Sequence, residues 1–322
     1  MKVLVTGGAG YIGFITVQEL LKQNHQVTIF DHFQTHSPQK IKPTPYIKGD
    51  ITHYQEIKSA LATVKPDAVI HFAAYIQMGE SVQNPQKYYR NNVLGSFNLA
   101  NAMVETGVDK IVFSSSAGVY GNPERIPIQE DDRKQPTNPY GETKLAVERL
   151  LRWYEKPYGL RSISIRYFNA AGATLDGSLG EDHQPESHLI PNIIKSQIEG
   201  REFTLFGDDY PTKDGTCVRD YIHVVDLAAA HIAALEQLQA GAPSNYYNAG
   251  TGHGYSNKQI IDMVEQVTGK PVKVKVLPRR PGDADILVAD TTKIKKELGW
   301  QPKYSDLETI IKTAYLWHKQ QH

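Results

Sequence analysis

The 322-residue chain is 40% hydrophobic and 22% charged, an ordinary globular composition with room for a sizeable core and about two domains. Thirty-five basic residues balance thirty-five acidic ones, which excludes a nucleic-acid binder relying on long-range attraction, though not a local pocket for one small anion. The single Cys217 excludes an intramolecular disulfide and a thiolate metal site, and no metal centre is expected. No apolar run reaches the ~20 residues of a membrane span and no signal-peptide layout opens the chain, so a cytoplasmic setting without membrane partners is expected.

Lys2–Thr6 is a β-branched run ending at Gly7 and predicts a buried strand entering a turn. Ile12, Ile15, Leu20 and Leu21 recur at helical spacing and predict a helix over Tyr11–Lys22. A strand Val27–Phe30 closed by Asp31, a strand Tyr46–Lys48, a helix near Tyr54–Leu61 and a strand Ala68–Phe72 continue the alternation. A long helix over Pro85–Glu105 and a strand Lys110–Ser114 follow. Strands separated by helices require right-handed crossovers, so the fold class is α/β: a Rossmann-type, doubly wound parallel sheet. Such sheets bind ligands beyond the carboxyl ends of their strands.

After Phe168 the regularity fades. Asn169–Glu186 is rich in Gly, Asp, Glu and His and far exceeds the usual loop of ~4–6 residues, which marks it as functional. Phe203–Phe206, helices Val224–Leu238 and Ser256–Thr268, a strand Val272–Leu277 and a helix from Leu307 predict a smaller mixed α/β lobe. The expected division is 1–168 for a dinucleotide-binding domain and 169–322 for a substrate domain. Residues 224–250 are expected to pack back on the first domain, because Ala228, Ala229, Ala230, Ala233 and Ala234 permit close approach.

Gly7, Gly10 and Gly13 stand three apart between the first strand and its helix. That spacing suits a sharp turn at Gly7, close approach of a pyrophosphate at Gly10 and packing of the helix on the sheet at Gly13. Asp31 closes the next strand, where it can accept hydrogen bonds from a ribose and repel a 2′-phosphate; no Arg follows directly, which favours NAD over NADP. His32 adjoins it. Asp50, either an adenine contact or a helix N-cap, and Phe72, Ala73 and Ala74 occupy further strand ends of this site.

Tyr140 and Lys144 stand four apart and share a helical face behind Asn138–Pro139. A nearby ammonium, together with a positively charged nicotinamide, is expected to lower the tyrosine pKa from about 10 towards the working range and make it a usable base. Ser116, at the end of the fifth strand, can hydrogen-bond an oxygen being oxidised; Ser114 and Ser115 read as an ordinary turn.

The runs Thr6–Gly13, Ser114–Gly121 and Tyr140–Lys144 resemble those of the extended short-chain dehydrogenase/reductase superfamily. Arg166–Asn169, His188–Pro191, Phe206–Thr212, Val218–Val224 and Arg280–Asp283 narrow the resemblance to the UDP-glucose 4-epimerases, in order over nearly the whole chain. The resemblance implies interconversion of UDP-glucose and UDP-galactose through a 4-keto intermediate with bound NAD. It implies Tyr140 as base and acid, assisted by Ser116 and Lys144. Tyr11, Ile12, Asp31, Asp50, Ile51, Phe72, Asn91 and Phe168 would line the NAD site. Asn169, His188, Leu189, Thr204, Leu205, Phe206, Arg219, Tyr221, Arg280 and Asp283 would hold the UDP-sugar. Two arginine forks suit a diphosphate; the competing reading makes Arg219–Asp220 and Arg280–Asp283 local ion pairs. A homodimer through the helices of 85–105 and 140–154 is implied as well, although Val93, Leu94 and Phe97 could equally be core.

Two features depart from the family pattern. Tyr75–Ile76–Gln77 supplies no Lys where relatives often carry one, and Leu287, of intermediate size, occupies the position that decides whether an N-acetyl group fits. The competing enzyme is a nucleotide-sugar 4,6-dehydratase on the same scaffold, which needs an acidic pair where this chain has Ala117–Gly118. A non-catalytic NAD-binding protein would need neither Tyr140 nor Lys144.

Overall fold

Glycine turns and helix caps punctuate the chain where the sequence places them. In the computed structural model, which describes residues 1–34, 41, 43–183, 185–280 and 284–321, β1 (Lys2–Thr6) enters α1 (Tyr11–Lys22) through the glycine loop. β2 (Gln26–Asp31), β3 (Tyr46–Lys48), α2 (Tyr54–Val64) and β4 (Ala68–His71) follow. The helix expected over 85–105 is divided. After α3 (Met78–Gln83), α4 (Pro85–Tyr88) runs into a π-helical turn at Tyr89–Leu94 and then into α5 (Gly95–Thr106). Asn84 caps α4 from the position before Pro85, and Gly107 at φ 76 closes α5 in the left-handed conformation. β5 (Lys110–Ser114), α6 (Pro139–Tyr158) and β6 (Arg161–Tyr167) complete the first half.

The second half contributes β7 (Asn169–Ala171), α7 (Leu189–Ile198), β8 (Phe203–Phe206), β9 (Val218–His223), α8 (Val224–Gln239) and β10 (Asn245–Ala249). β11 (Gly254–Ser256), α9 (Asn257–Thr268), β12 (Val274–Leu277), β13 (Ile286–Leu287), α10 (Thr292–Leu298) and α11 (Leu307–Gln321) end the chain.

Seven strands form one parallel sheet in the order β3-β2-β1-β4-β5-β6-β10. The first six follow the dinucleotide-fold order. The seventh comes from beyond residue 168: β10 pairs with β6 from Asn245 opposite Ile163 to Ala249 opposite Tyr167. α8 covers the same sheet, with Val224 and Ala228 against Tyr11 and Ile15, and Ala230, Ala234 and Leu235 in the core of Val3, Val5 and Ile70. A second core gathers Ile190, Ile193 and Ile194 of α7, Ile260 and Val264 of α9, and Ile310 and Ile311 of α11 around β8. Small sheets β11-β9-β13, with β7 on β9, and β12-β8 lie beside it. Among the described residues no helix is long and apolar enough to cross a membrane.

Candidate active site

The sheet reverses its winding between β1 and β4, and the crevice at their carboxyl ends holds the glycine loop. Gly7 has φ +70, and a Cβ there would meet the Ala73 nitrogen at 2.5 Å. A Cβ on Gly10 would meet only the Gly7 oxygen, at 3.4 Å, so the space over the helix start is open. Gly10 is also the N-cap of α1 and provides no capping side chain. Uncapped N–H groups at a helix start with room above them are what a phosphate requires.

Around this cradle stand the other expected cofactor residues. Asp31 accepts hydrogen bonds from the amides of Ala9 (3.1 Å) and Phe33 (2.9 Å), bracing the glycine loop, and His32 Nδ1 lies 3.6 Å from its carboxylate. Asp50 accepts from the Thr52 amide, whereas the N-cap of α2 is His53, so the capping alternative for Asp50 fails. Ile51 is buried beneath Gly95, where a Cβ would collide with it at 2.6 Å. Phe72 and Ala73 donate their amides to the Thr6 carbonyl, Ala74 is half-buried behind them, and Asn91 donates to Asn92 within the π-helical turn. Tyr11 reaches across to donate to the Gly172 carbonyl at 2.7 Å, and Ile12 packs beside it against α8. These residues fit a dinucleotide along the sheet's carboxyl edge.

Next along that edge, Ser116, Tyr140 and Lys144 are all buried. Asn138 caps α6 through the Gly141 amide, with Pro139 at the first position, so the helix starts where Tyr140 faces inward. Burial pushes the Tyr140 phenol well above its ordinary value; Tyr167 adds to the rise, and a hydrogen bond with Ser116 opposes it. Burial likewise pulls Lys144 down to about 7, against the pull of Glu148 one turn away. The lysine donates to the Ser114 carbonyl at 2.7 Å and sits 5.9 Å from the Tyr140 ring centre. Desolvation thus acts on both groups against their charged forms, and the bound nicotinamide's positive charge is the remaining influence expected to favour the phenolate. Ser116 Oγ accepts from the Gly118 amide and caps the single 3₁₀ turn Ala117–Val119. Phe168 and Leu287 pack on Ala117, Val119 and Leu145, so position 287 adjoins the serine turn.

The expected substrate residues divide. Asn169 of β7 donates to the Asp220 carbonyl (3.3 Å), and Arg219 donates to the carbonyls of Val218 (2.9 Å) and Asp285 (3.4 Å). Asp220 is buried and accepts instead from Thr251, Gly252 and Ala289, which rules out the local Arg219–Asp220 ion pair. Arg280 is exposed and lies over the Phe206 ring, its Cζ 4.9 Å from the ring centre. Thr204 and Phe206 are partly exposed on one face of β8; the strand's alternation sends Leu205 into the core on the other. Tyr221 is likewise buried in that core, so both side chains pack inward. His188 is the N-cap residue of α7, with Leu189 against the core behind it. Asp283 lies outside the described residues.

The NAD dependent epimerase/dehydratase family pattern matches residues 3–250. The chain belongs to that family. It is 49% identical to the UDP-glucose 4-epimerase of Halalkalibacterium halodurans over 99% of this chain and 96% of that protein. Its fold matches the crystal structure of the Brucella ovis UDP-glucose 4-epimerase in complex with NAD, with a TM-score of 0.95 and 44% identity over 98% and 97% of the two chains. It matches the Bifidobacterium longum UDP-glucose 4-epimerase in complex with NAD+ and UDP with a TM-score of 0.93 and 38% identity, covering 99% and 98%.

In this member of the epimerase/dehydratase family, several supports escape a reading by motif. The buried Ser81 hydroxyl accepts from the Tyr140 amide at 3.2 Å. Asn92 donates to Thr143 and to the Tyr75 carbonyl, tying the π-helical turn to the start of α6. Ser115, read as a plain turn, donates to Glu148 at 2.6 Å, and Glu148 takes a two-pronged ion pair from Arg166.

Proposed function

We propose that the chain is a UDP-glucose 4-epimerase: it interconverts UDP-glucose and UDP-galactose at C4 and keeps NAD bound throughout. The observation that carries this reading is the burial of Tyr140, Ser116 and Lys144 together beside an open, uncapped glycine cradle. Gly7–Gly13, Asp31, Asp50 and Phe72–Ala74 hold the dinucleotide. NAD, when bound, supplies a positive charge and a reversible hydride acceptor. Tyr140 takes the proton of the sugar 4-hydroxyl and later returns it, Ser116 hydrogen-bonds the same oxygen, and Lys144 holds the adjoining ribose hydroxyls. Arg219 and Arg280 grip the diphosphate, while the hexose end is held loosely enough for the flat 4-keto sugar to turn over. Asn169, His188, Thr204 and Phe206 complete the nucleotide grip. A dehydratase lacks support because Ala117–Gly118 provide no acid to protonate a leaving C6 hydroxyl.

In this reading residues 1–168 form the dinucleotide lobe, together with 224–250, and the rest of 169–322 forms the substrate lobe. The enzyme works as a cytoplasmic homodimer within galactose metabolism. Support for the dimer comes from the apolar patch of Leu94, Phe97 and Trp153, with Trp153 78% exposed. The test is conversion of UDP-galactose to UDP-glucose by the purified chain without added NAD, alongside Tyr140→Phe. The parent converts it; the variant retains the dinucleotide and UDP-sugar binding but turns over about 10²–10⁴-fold more slowly. Near-normal turnover by Tyr140→Phe removes the tyrosine from the chemistry.

A further inference from the structure

We propose that Glu181, His183 and His188, with Glu186 beside them, bind one divalent transition-metal ion of the zinc class. The sequence reading expects no metal, because it looks for thiolates and regular ligand spacing. The structure instead gathers two imidazoles and two carboxylates from one loop and the helix start that follows it. Their four candidate ligand atoms all lie within 4.8 Å of one another.

Glu181 is the centre. Its carboxylate is buried, and the same oxygen, Oε1, is approached by Nδ1 of His183 at 2.8 Å and by Nδ1 of His188. The two rings meet edge to face with centroids 5.4 Å apart, so the nitrogens converge on one point from different directions. His183 Nδ1 is the telling atom. It is shielded from solvent and meets the Glu181 carboxylate at ion-pair distance without hydrogen-bond geometry. A cation placed between the two would be met by both. Glu186 is held in place by the amides of Ser187 and His188 and by Lys195 at 3.4 Å, and its Oε1 lies 4.0 Å from His188 Nδ1.

This donor set is borderline in softness and suits Zn²⁺, with Co²⁺ as its spectroscopic stand-in. A tetrahedral ion bonded at about 2.1 Å keeps its donors about 3.4 Å apart, so the histidine nitrogens must draw back from Glu181, His183 from 2.8 Å, and Glu186 must close in on His188 from 4.0 Å. The scaffold is fixed as well. The Trp317 indole donates to the Glu181 carbonyl at 2.8 Å, and a Cβ on Gly180 would meet the Trp317 ring at 2.4 Å, so α11 clamps the loop that carries the ligands. Coordination through Nδ1 leaves Nε2–H of His188, whose side chain is 46% exposed, pointing away from the ion. The metal would thus lock one ring while leaving its outer edge free. The site stands on these four side chains and does not depend on the epimerase reading.

The test strips the full-length chain with a chelator and titrates it with Co²⁺, then measures zinc per chain after equilibration with Zn²⁺ and removal of loose metal. One ion per chain is expected, with visible cobalt absorption and proton release on binding. Glu181→Gln and His183→Gln are expected to weaken uptake about 100-fold or more. His183→Gln keeps a polar side chain of similar reach, and its circular dichroism and melting curve report whether it is folded. The proposal is overturned if the folded parent takes up no stoichiometric zinc or cobalt, leaving the cluster a protonated histidine–glutamate pair. It is equally overturned if folded His183→Gln binds as tightly as the parent.

Discussion

A Cβ added to Gly13 would lie 2.3 Å from the carbonyl oxygen of Gly7, so the first turn of α1 rests on the glycine loop backbone to backbone. Gly13→Ala must therefore separate the two, costing about 1–3 kcal/mol and the bound dinucleotide together. Gly10→Ala meets only one atom, at 3.4 Å, and should leave the dinucleotide-free fold nearly as stable while its methyl fills the cradle. Melting of the dinucleotide-free proteins and assay of nucleotide released on denaturation separate the two effects. Equal retention of NAD by Gly10→Ala would place the phosphates elsewhere.

Three buried histidines set an acid limit on stability. Burial lowers His71 to about 3 and His223 and His231 to about 4, from 6.5. Between those values and 6.5 the unfolded chain binds protons that the folded chain refuses, so stability falls as the pH drops through that window. Each histidine contributes up to about 1.4 kcal/mol per pH unit. Denaturant midpoints at pH 7 and pH 5 should differ accordingly. His231→Leu should flatten the slope by about a third: His231 lies against Phe72, its Nε2 has no hydrogen-bond partner, and the substitution gives up only the Nδ1 contact to the Leu227 carbonyl at 2.9 Å. A slope unchanged in that variant would show that His231 protonates normally in the fold.

Leu287 packs with Phe168 against the turn that follows Ser116. Extending it in Leu287→Tyr narrows the space beside the serine. In a parent that turns over UDP-N-acetylglucosamine, its turnover ratio to UDP-glucose should fall at least about tenfold. If the ratio is unmoved, position 287 is not the gate.

Trp153, Leu94 and Phe97 are too exposed to be core of a single chain, which decides against the core alternative for Leu94 and Phe97. Sedimentation velocity should give a dimer for the parent and monomers for Trp153→Glu with Phe97→Glu, without loss of the folded spectrum. A monomeric parent would leave the patch without the partner assigned to it.

What could be read from the sequence tracks where apolar side chains point. β1, α1 and β5 are apolar runs set off by glycine or polar residues, and the structure keeps their predicted limits. β6 was invisible because Ser162, Ser164 and Arg166 look like a solvated face yet are buried, Arg166 being matched by Glu148, Tyr120 and the Glu130 carbonyl. β10 hides for the same reason: Asn248 is fully buried and bonds to Tyr120, Ile128 and Glu130. At the site, the spacing of Tyr140 and Lys144 and the position of Ser116 sufficed to find the cluster. Ser81 and Asn92 were missed because they reach α6 across 59 and 51 residues of sequence. The motif alone does not tell which way Leu205 points; the pleat of β8 turns it inward.

The seventh strand has a practical consequence for anyone recombining relatives of this protein. A cut at residue 168 leaves β6 with an unpaired edge and removes the helix that roofs α1, because β10 and α8 arrive only after it. A hybrid joined there marries two sequences inside one hydrogen-bonded ladder, and the isolated front piece exposes a sticky β6 margin prone to self-association. Modular exchange therefore has to carry 224–250 along with the front piece.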